Sequence, residues 1–142
     1  MTTIRGGAAR LARVAPRYVD CVARAELVLR SAYRAFNARD IEAAIQLMHP
    51  AVDWPNAWEG GRVVGRAAVR DYWNRQFAAI SGKVEPEAFT EEADGAITVD
   101  VHQVVHDAKT GEFISDSRVL HRYRLEDGLI VRMDVLEPPD QQ

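Results

Sequence analysis

Residues 119–136 read VLHRYRLEDGLIVRMDVL, two strand-like runs separated by Asp127-Gly128. An Asp-Gly pair between apolar runs predicts a two-residue hairpin turn of type I′, because both turn residues must adopt positive φ. Counting outward from this turn places His121 directly opposite Asp134 on one face of the hairpin. A carboxylate beside a histidine orients the ring and raises its pKa, so the pair predicts acid/base chemistry.

The composition predicts one globular domain. The chain has 142 residues, of which 47% are hydrophobic and 27% charged. No run approaches the roughly 18 consecutive apolar residues of a membrane span, so we expect no membrane contact. Cys21 is the single cysteine, which excludes a disulfide framework within the chain and favours a cytoplasmic setting.

Charge is unevenly distributed along the chain. The first nineteen residues contain four arginines and no acidic residue, whereas the net charge of the chain is −3. We therefore expect a flexible basic extension over residues 1–18, followed by one domain over residues 19–140. The acidic balance of that domain argues against a nucleic-acid-binding surface.

Apolar spacing predicts three helices before the main sheet. The first has an apolar stripe from Val22 to Phe36 at steps of three and four residues. Asp40 is placed to cap a short second helix that ends before His49-Pro50. The third helix carries its stripe from Val69 to Ile80, and Ser81-Gly82 is expected to end it.

The remaining sequence predicts strands. A short strand at Ala51–Asn56 contains Pro55, which is tolerated at a sheet edge or a bulge. Glycines at positions 60, 61 and 65 indicate a loop before the third helix. Turn signals then separate four strands, predicted at Val84–Glu92, Ala96–His106, Glu112–Leu125 and Leu129–Glu137. Helices gathered on one side of an antiparallel meander make an α+β domain.

Residues 97–105 alternate between two faces of their strand. Val99 and Val101 share one face, while Asp100 and His102 share the other. The polar face can simply be solvated, or it can line a pocket on a concave sheet. In the second interpretation, which we favour, Asp134 joins the pocket and the valines form a convex face. Such an apolar patch needs a cover, which predicts a homodimer through the convex face.

Four segments make this pattern resemble a known superfamily. They are Ala35–Asp40, His49–Trp54, Gly65–Trp73 and Asp127–Asp134. With the order of elements, they resemble the SnoaL-like proteins of the nuclear transport factor 2-like superfamily, over roughly residues 26–138. The resemblance implies a cone of three N-terminal helices packed on a curved, mostly antiparallel β-sheet, with a pocket between them. Members include cyclases, isomerases, epoxide hydrolases, dehydratases and non-catalytic binders, so the fold alone does not assign a reaction.

The limonene epoxide hydrolases of this superfamily offer the most useful comparison. By resemblance, Asp134 and Asp100 match their two aspartates, Asn56 matches an asparagine, and Trp54 lies where they have a tyrosine. Thr98 replaces the arginine that bridges the aspartates, so the same epoxide-opening mechanism is not implied. Cyclases of the SnoaL type also use an aspartate as acid/base, a role that Asp134 can fill.

The ketosteroid isomerases imply a different set. Their chemistry needs a base on the first strand, where Asp53 lies, and a tyrosine on the first helix, where Tyr33 lies. A carboxylic acid on a later strand would then correspond to Asp100.

Together these observations predict a cofactor-independent protein that binds a small, largely apolar molecule. Asp134 is the predicted general acid/base, His121 its partner and Asp100 a second carboxylate. Arg132 shares the predicted face of Asp134 and suits an anionic group.

The reaction could be that of an isomerase, cyclase, hydrolase or dehydratase, and the alternative is a non-catalytic ligand-binding or dimerisation module. We expect no metal and no cofactor. The predicted substrate-binding residues are Asn56, Trp54, His102, Tyr123, Arg132 and Tyr72.

Overall fold

The computed structural model describes the backbone of residues 16–137 and the side chains of residues 22–137. Residues 1–15 of the predicted basic extension, and residues 138–140 of the predicted domain, lie outside this part. No helix among the described residues is long and apolar enough to span a membrane. The elements in chain order are α1 (Pro16–Asn37), α2 (Ile41–Gln46), β1 (Met48–Pro55), β2 (Arg62–Val64), α3 (Arg66–Ala79), β3 (Ile80–Glu91), β4 (Ile97–Asp107), β5 (Phe113–Glu126) and β6 (Leu129–Leu136).

The α+β architecture is confirmed, with one qualification on the helices. Two helices are long, at 22 and 14 residues, whereas α2 has only six. Asp40 caps α2 as predicted, its side chain accepting a hydrogen bond from the backbone N–H of Ala43 at 3.1 Å. Helix α3 ends at Ala79 and continues directly into β3, so the chain changes conformation two residues before Ser81-Gly82.

The strands form one six-stranded sheet in the order β2-β1-β6-β5-β4-β3. Strands β3 to β6 make the predicted antiparallel meander, and β1 joins it by parallel pairing with β6. The short strand β2 was missed, because its three residues follow a glycine-rich segment that reads as loop. Pro55 lies at the end of β1, next to that edge strand, where its missing N–H is tolerated.

The hairpin turn is confirmed but the predicted register is wrong. Asp127 and Gly128 adopt φ of 54° and 76°, as a type I′ turn requires. Leu125 pairs with Ile130, but Arg124 pairs with Arg132, so Val131 is an extra residue in β6. This bulge shifts all later pairs by one residue.

The bulge changes the neighbours of the predicted catalytic pair. His121 lies opposite Val135, and Asp134 lies opposite Arg122. Likewise Tyr123 pairs with Met133 and not with Arg132. Because a shift of one residue moves every side chain to the other face, His121 and Asp134 point to opposite sides of the sheet.

The assignment of the two sheet faces is also wrong. Val99 and Val101 are fully buried in the core that the helices cover, together with Tyr123 and Met133. We call this the inner face, and the opposite one, which carries Asp100 and Asp134, the outer face. The apolar stripes of the helices bury most area against the more apolar side of the sheet, so the valines face inward. The outer face is therefore charged and not valine-rich, and a homodimer through the sheet stays a prediction.

Candidate functional site

A cavity of about 280 Å³ lies between α1, α3 and the inner face of the sheet. Its size is near the lower end of small-molecule pockets. No Asp, Glu, Lys or Arg is among the residues that line it. Six of the sixteen lining residues have large aromatic rings: Tyr33, Phe36, Trp54, Tyr72, Trp73 and Tyr123.

The aromatic wall is held by edge-to-face packing. Trp73 meets the ring of Trp54 with centroids 5.4 Å apart, and that of Phe36 at 5.6 Å. Asn37 fixes the end of α1 against β3 by exchanging two hydrogen bonds with the backbone of Val84, at 2.8 and 2.9 Å. Edge-to-face ring pairs favour a defined arrangement of the rings, so the aromatic wall offers a preformed surface to a flat apolar ligand.

A chain of two hydroxyls and an imidazole forms the polar part of the cavity. The hydroxyl of Tyr123 donates to that of Tyr33 at 2.8 Å, and the Tyr33 oxygen lies 2.8 Å from Nδ1 of His121. All three side chains are buried, and His121 is only 7% exposed. We refer to these three residues as the relay. Helix α1 supplies Tyr33, and β5 supplies the other two residues at alternate positions on the inner face.

Burial dominates the electrostatics of the relay. It lowers the pKa of His121 from 6.5 to about 4, so the imidazole is neutral near pH 7. It also raises the pKa of both Tyr33 and Tyr123 above the ordinary value. Every member of the relay is therefore uncharged, which matches the uncharged wall around it.

The relay can carry its protons in two arrangements. With Tyr123 donating to Tyr33 and Tyr33 donating to Nδ1 of His121, the remaining imidazole proton sits on Nε2. With both hydroxyls reversed, Nδ1 donates to Tyr33 and Nε2 becomes an acceptor. Nε2 makes no hydrogen bond with the described residues, so it is free to meet a ligand oxygen in either role.

Asp134 lies on the outer face and is held by arginines. One of its oxygens accepts hydrogen bonds from Arg62 and Arg132, each at 3.1 Å, and the other accepts from Arg132 at 3.0 Å. The Arg132 guanidinium, through these hydrogen bonds, lowers the pKa of this carboxyl. Arg132 also binds Asp53 at 2.9 Å. Asp134, Arg132 and Asp53 thus form an ion-pair network outside the cavity.

Asp100 and His102 also face outward. Asp100 pairs with Arg118 at 2.7 Å, and Nε2 of His102 lies 2.6 Å from Asp116. The expected convergence of Asp100, His121 and Asp134 in one pocket is therefore wrong. The physical reason is the same as for the register, namely the face inversion and the bulge at Val131.

Asn56 organises the loop between β1 and β2. Its side-chain oxygen accepts from the backbone N–H of Glu59 at 2.7 Å, and its amide nitrogen donates to the Glu59 carboxylate at 3.0 Å. Glu59 is itself held by Arg75. Asn56 is buried but does not line the cavity.

Four of the predicted site residues do line the cavity: His121, Tyr123, Trp54 and Tyr72. Burial raises the pKa of Tyr72 as well. Sequence reasoning missed Gln76 and Gln103 as cavity residues, although Gln103 was the one polar residue on the valine face of its strand. The amide of Gln103, on a face otherwise made of valines, was the signal that could have predicted a polar position in the cavity.

One group of described residues brings possible metal ligands together. Donor atoms of His49, Glu126 and Asp127 lie within 4.8 Å of one another at the hairpin turn. However, Nδ1 of His49 accepts the backbone N–H of Ala51 at 3.0 Å, which leaves the imidazole proton on Nε2. A neutral ring in this state has no free lone pair to offer a metal, so this group is poorly suited to hold one.

Comparisons with solved structures agree with the fold. TerC co-crystallised with polyporic acid superposes with a TM-score of 0.70 at 22% identity, over 83% of this chain and 94% of that one. RV0760c from Mycobacterium tuberculosis, in complex with estradiol-17β-hemisuccinate, gives a TM-score of 0.70 at 24% identity, over 82% and 95%. The epoxide hydrolase/cyclase-like enzyme SalBIII, of pyran ring formation in salinomycin, gives 0.70 at 18% identity, over 83% and 93%. At these identities the likeness shows the fold alone.

Sequence comparison gives the family. A search of the curated proteins found no match to the chain. The sequence model of the SnoaL-like domain family matches residues 29–133 of this chain. This range runs from α1 to β6 and includes every residue of the relay. The chain therefore belongs to the SnoaL-like domain family.

Proposed function

We propose that this protein binds a small, uncharged, largely apolar molecule in the cavity and exchanges a proton with it through His121. The observation that carries the proposal is a neutral, buried imidazole with a free Nε2, placed in an aromatic cavity without charged residues. A ligand oxygen at Nε2 would replace the missing hydrogen-bond partner. The ligands bound by two structural relatives, polyporic acid and estradiol-17β-hemisuccinate, support a ring-containing molecule.

The chemistry that fits is proton transfer next to a carbonyl, as in isomerases and cyclases. In the first arrangement of the relay, Nε2–H donates a hydrogen bond to a carbonyl oxygen and stabilises the enolate that forms when solvent water takes the α-proton. The resulting hydronium then returns a proton to the carbon or to the oxygen. In the reversed arrangement, Nε2 accepts the proton of an enol or hydroxyl. The two arrangements let one residue serve both directions of a keto–enol exchange without a cofactor.

A second candidate function is binding without catalysis. It is favoured because none of the described residues that line the cavity is a carboxylate, so none of them offers the ligand a strong general base. The low pKa of His121 points the same way, because a base with a pKa of about 4 is a weak proton acceptor.

Deuterium exchange separates the two candidates. We would incubate 2-tetralone, an uncharged aromatic ketone, with the protein in D₂O and follow loss of its α-protons by NMR. Catalysis predicts exchange by the wild type and a loss of roughly 10²-fold or more in His121→Gln. His102→Gln removes a histidine from the outer face and should exchange at the wild-type rate.

Each result has a defined meaning. Equal exchange by wild type and His121→Gln would remove the catalytic role. No exchange above background, with saturable quenching of Trp fluorescence by the same ketone, would favour the binding function. Neither exchange nor binding, for 2-tetralone and for estradiol alike, would overturn the proposal.

A further inference from the structure

Two polar side chains in the cavity have no part in the relay. Gln103 on β4 and Gln76 on α3 both line the cavity and are partly exposed. Neither side-chain amide is hydrogen bonded to any described residue. An amide offers two donors and an acceptor, so these groups are available to a ligand.

The sheet register fixes where Gln103 lies relative to His121. Val99 pairs with His121, and Gln103 follows Val99 by four residues on the same face of β4. Four residues of strand span about 13 Å. Between the two lies the Val101–Val119 pair, of which Val101 is fully buried. The inner face is thus polar at His121, apolar in the middle and polar again at Gln103.

The helix side repeats this pattern. Gln76 follows Tyr72 and Trp73 by one helical turn, so it lies on their face of α3. Tyr72 and Trp73 are buried, whereas Gln76 is partly exposed. The exposed fraction therefore rises from the aromatic part of the cavity towards the two amides, which places them nearer to solvent than the relay.

We infer that the ligand is an elongated molecule with a hydrogen-bonding group at each end, one held by His121 and the other by Gln103 and Gln76. This rests on the proposed binding function and adds the substrate class: an uncharged, rigid, apolar body with two terminal hydroxyl, carbonyl or amide groups. Gln103 and Gln76 are then the residues that select for length. A ligand with only one polar end hydrogen bonds through that end to Nε2 of His121, and its apolar end forms no hydrogen bond with Gln103 or Gln76.

The test compares two probes that differ only at one end. Estradiol has a hydroxyl at each end of a rigid apolar body, and 17-deoxyestradiol lacks one of them. We expect the wild type to bind estradiol about five- to tenfold more tightly, the value of one neutral hydrogen bond. Isothermal titration calorimetry gives both affinities.

Three variants assign that preference to the amides. Gln103→Leu and the double variant Gln76→Leu/Gln103→Leu should bind the two probes with equal affinity, while affinity for 17-deoxyestradiol stays at the wild-type value. Gln46→Leu, an exposed glutamine of α2 away from the cavity, should keep the full preference. Circular dichroism and thermal unfolding verify that each variant is folded.

The outcomes separate this inference from the proposal beneath it. Binding of both probes with equal affinity by the wild type, or an unchanged preference in the double variant, overturns the length selection and leaves the binding function standing. Absence of binding by either probe to the wild type overturns both. A preference that disappears in the variants but not in the control supports the inference.

Discussion

The pKa of His121 leads to a quantitative prediction on stability. In the unfolded chain this histidine titrates near 6.5, whereas in the folded protein burial lowers its pKa to about 4. Between these values the unfolded state binds a proton that the folded state does not. The free energy of unfolding is therefore unaffected by this group above pH 6.5, and it decreases as the pH falls from 6.5 towards 4.

The magnitude follows from the two pKa values. At pH 4.5 the unfolded chain is almost fully protonated at this site and the folded protein only partly so. The linkage relation then gives a loss of about 2–3 kcal/mol relative to pH 7.5. This is a large part of the 5–15 kcal/mol that is typical of a whole domain. His121→Gln replaces the titrating ring by an uncharged amide, and should remove that part of the pH dependence.

The assay is urea unfolding at pH 7.5 and pH 4.5 for the wild type and for His121→Gln. The quantity compared is the difference between the two pH values within each protein, so the cost of the substitution itself cancels. We expect the wild type to lose about 2–3 kcal/mol more than the variant. If His121→Gln loses as much stability on acidification as the wild type, the buried neutral imidazole is not the cause and the reasoning fails.

Four further predictions follow from the packing and the turns. Tyr33→Phe removes the middle hydroxyl of the relay and leaves two buried polar groups without a partner, so we expect a loss of about 1–3 kcal/mol by urea unfolding. Asp134→Asn should leave estradiol affinity within twofold in calorimetry, because that residue lies on the outer face; a tenfold loss would contradict this placement. Gly128→Ala forces a Cβ into a turn residue with φ of 76° and should cost about 1–2 kcal/mol in the same unfolding assay. Sedimentation velocity at micromolar concentration checks the predicted homodimer, and a dimer through the charged outer face should weaken at high salt.

Local sequence signals predicted most of the elements, because each depends on few neighbouring residues. The Asp40 cap, the Asp127-Gly128 turn and the order of the strands are of this kind. The helical stripe through Val69, Tyr72 and Trp73 also became buried as expected. These features can be predicted from one short segment of chain, because they depend only on its turn residues and on the spacing of its apolar residues.

The site was only partly predictable, because it depends on which face of the sheet each side chain occupies, and a shift of one residue reverses that face. One extra residue, Val131, separates the predicted His121–Asp134 pair from the observed pairing of His121 with Val135. A bulge of this type has no clear mark in the sequence, since Val131 is as good a strand residue as its neighbours. Resemblance pointed to Tyr33 on the first helix, but its contact with His121 needed the packing of α1 on the sheet.

The sequence by itself determined the α+β class and the order of the elements apart from β2 in this SnoaL-like chain. The tertiary structure decided which side of the sheet the helices cover. That choice buries the valine face and exposes the aspartates, because covering the apolar side removes more apolar area from water than covering the charged side. It therefore moved the candidate site from the carboxylates Asp134 and Asp100 to a neutral imidazole at the end of a chain of two tyrosine hydroxyls.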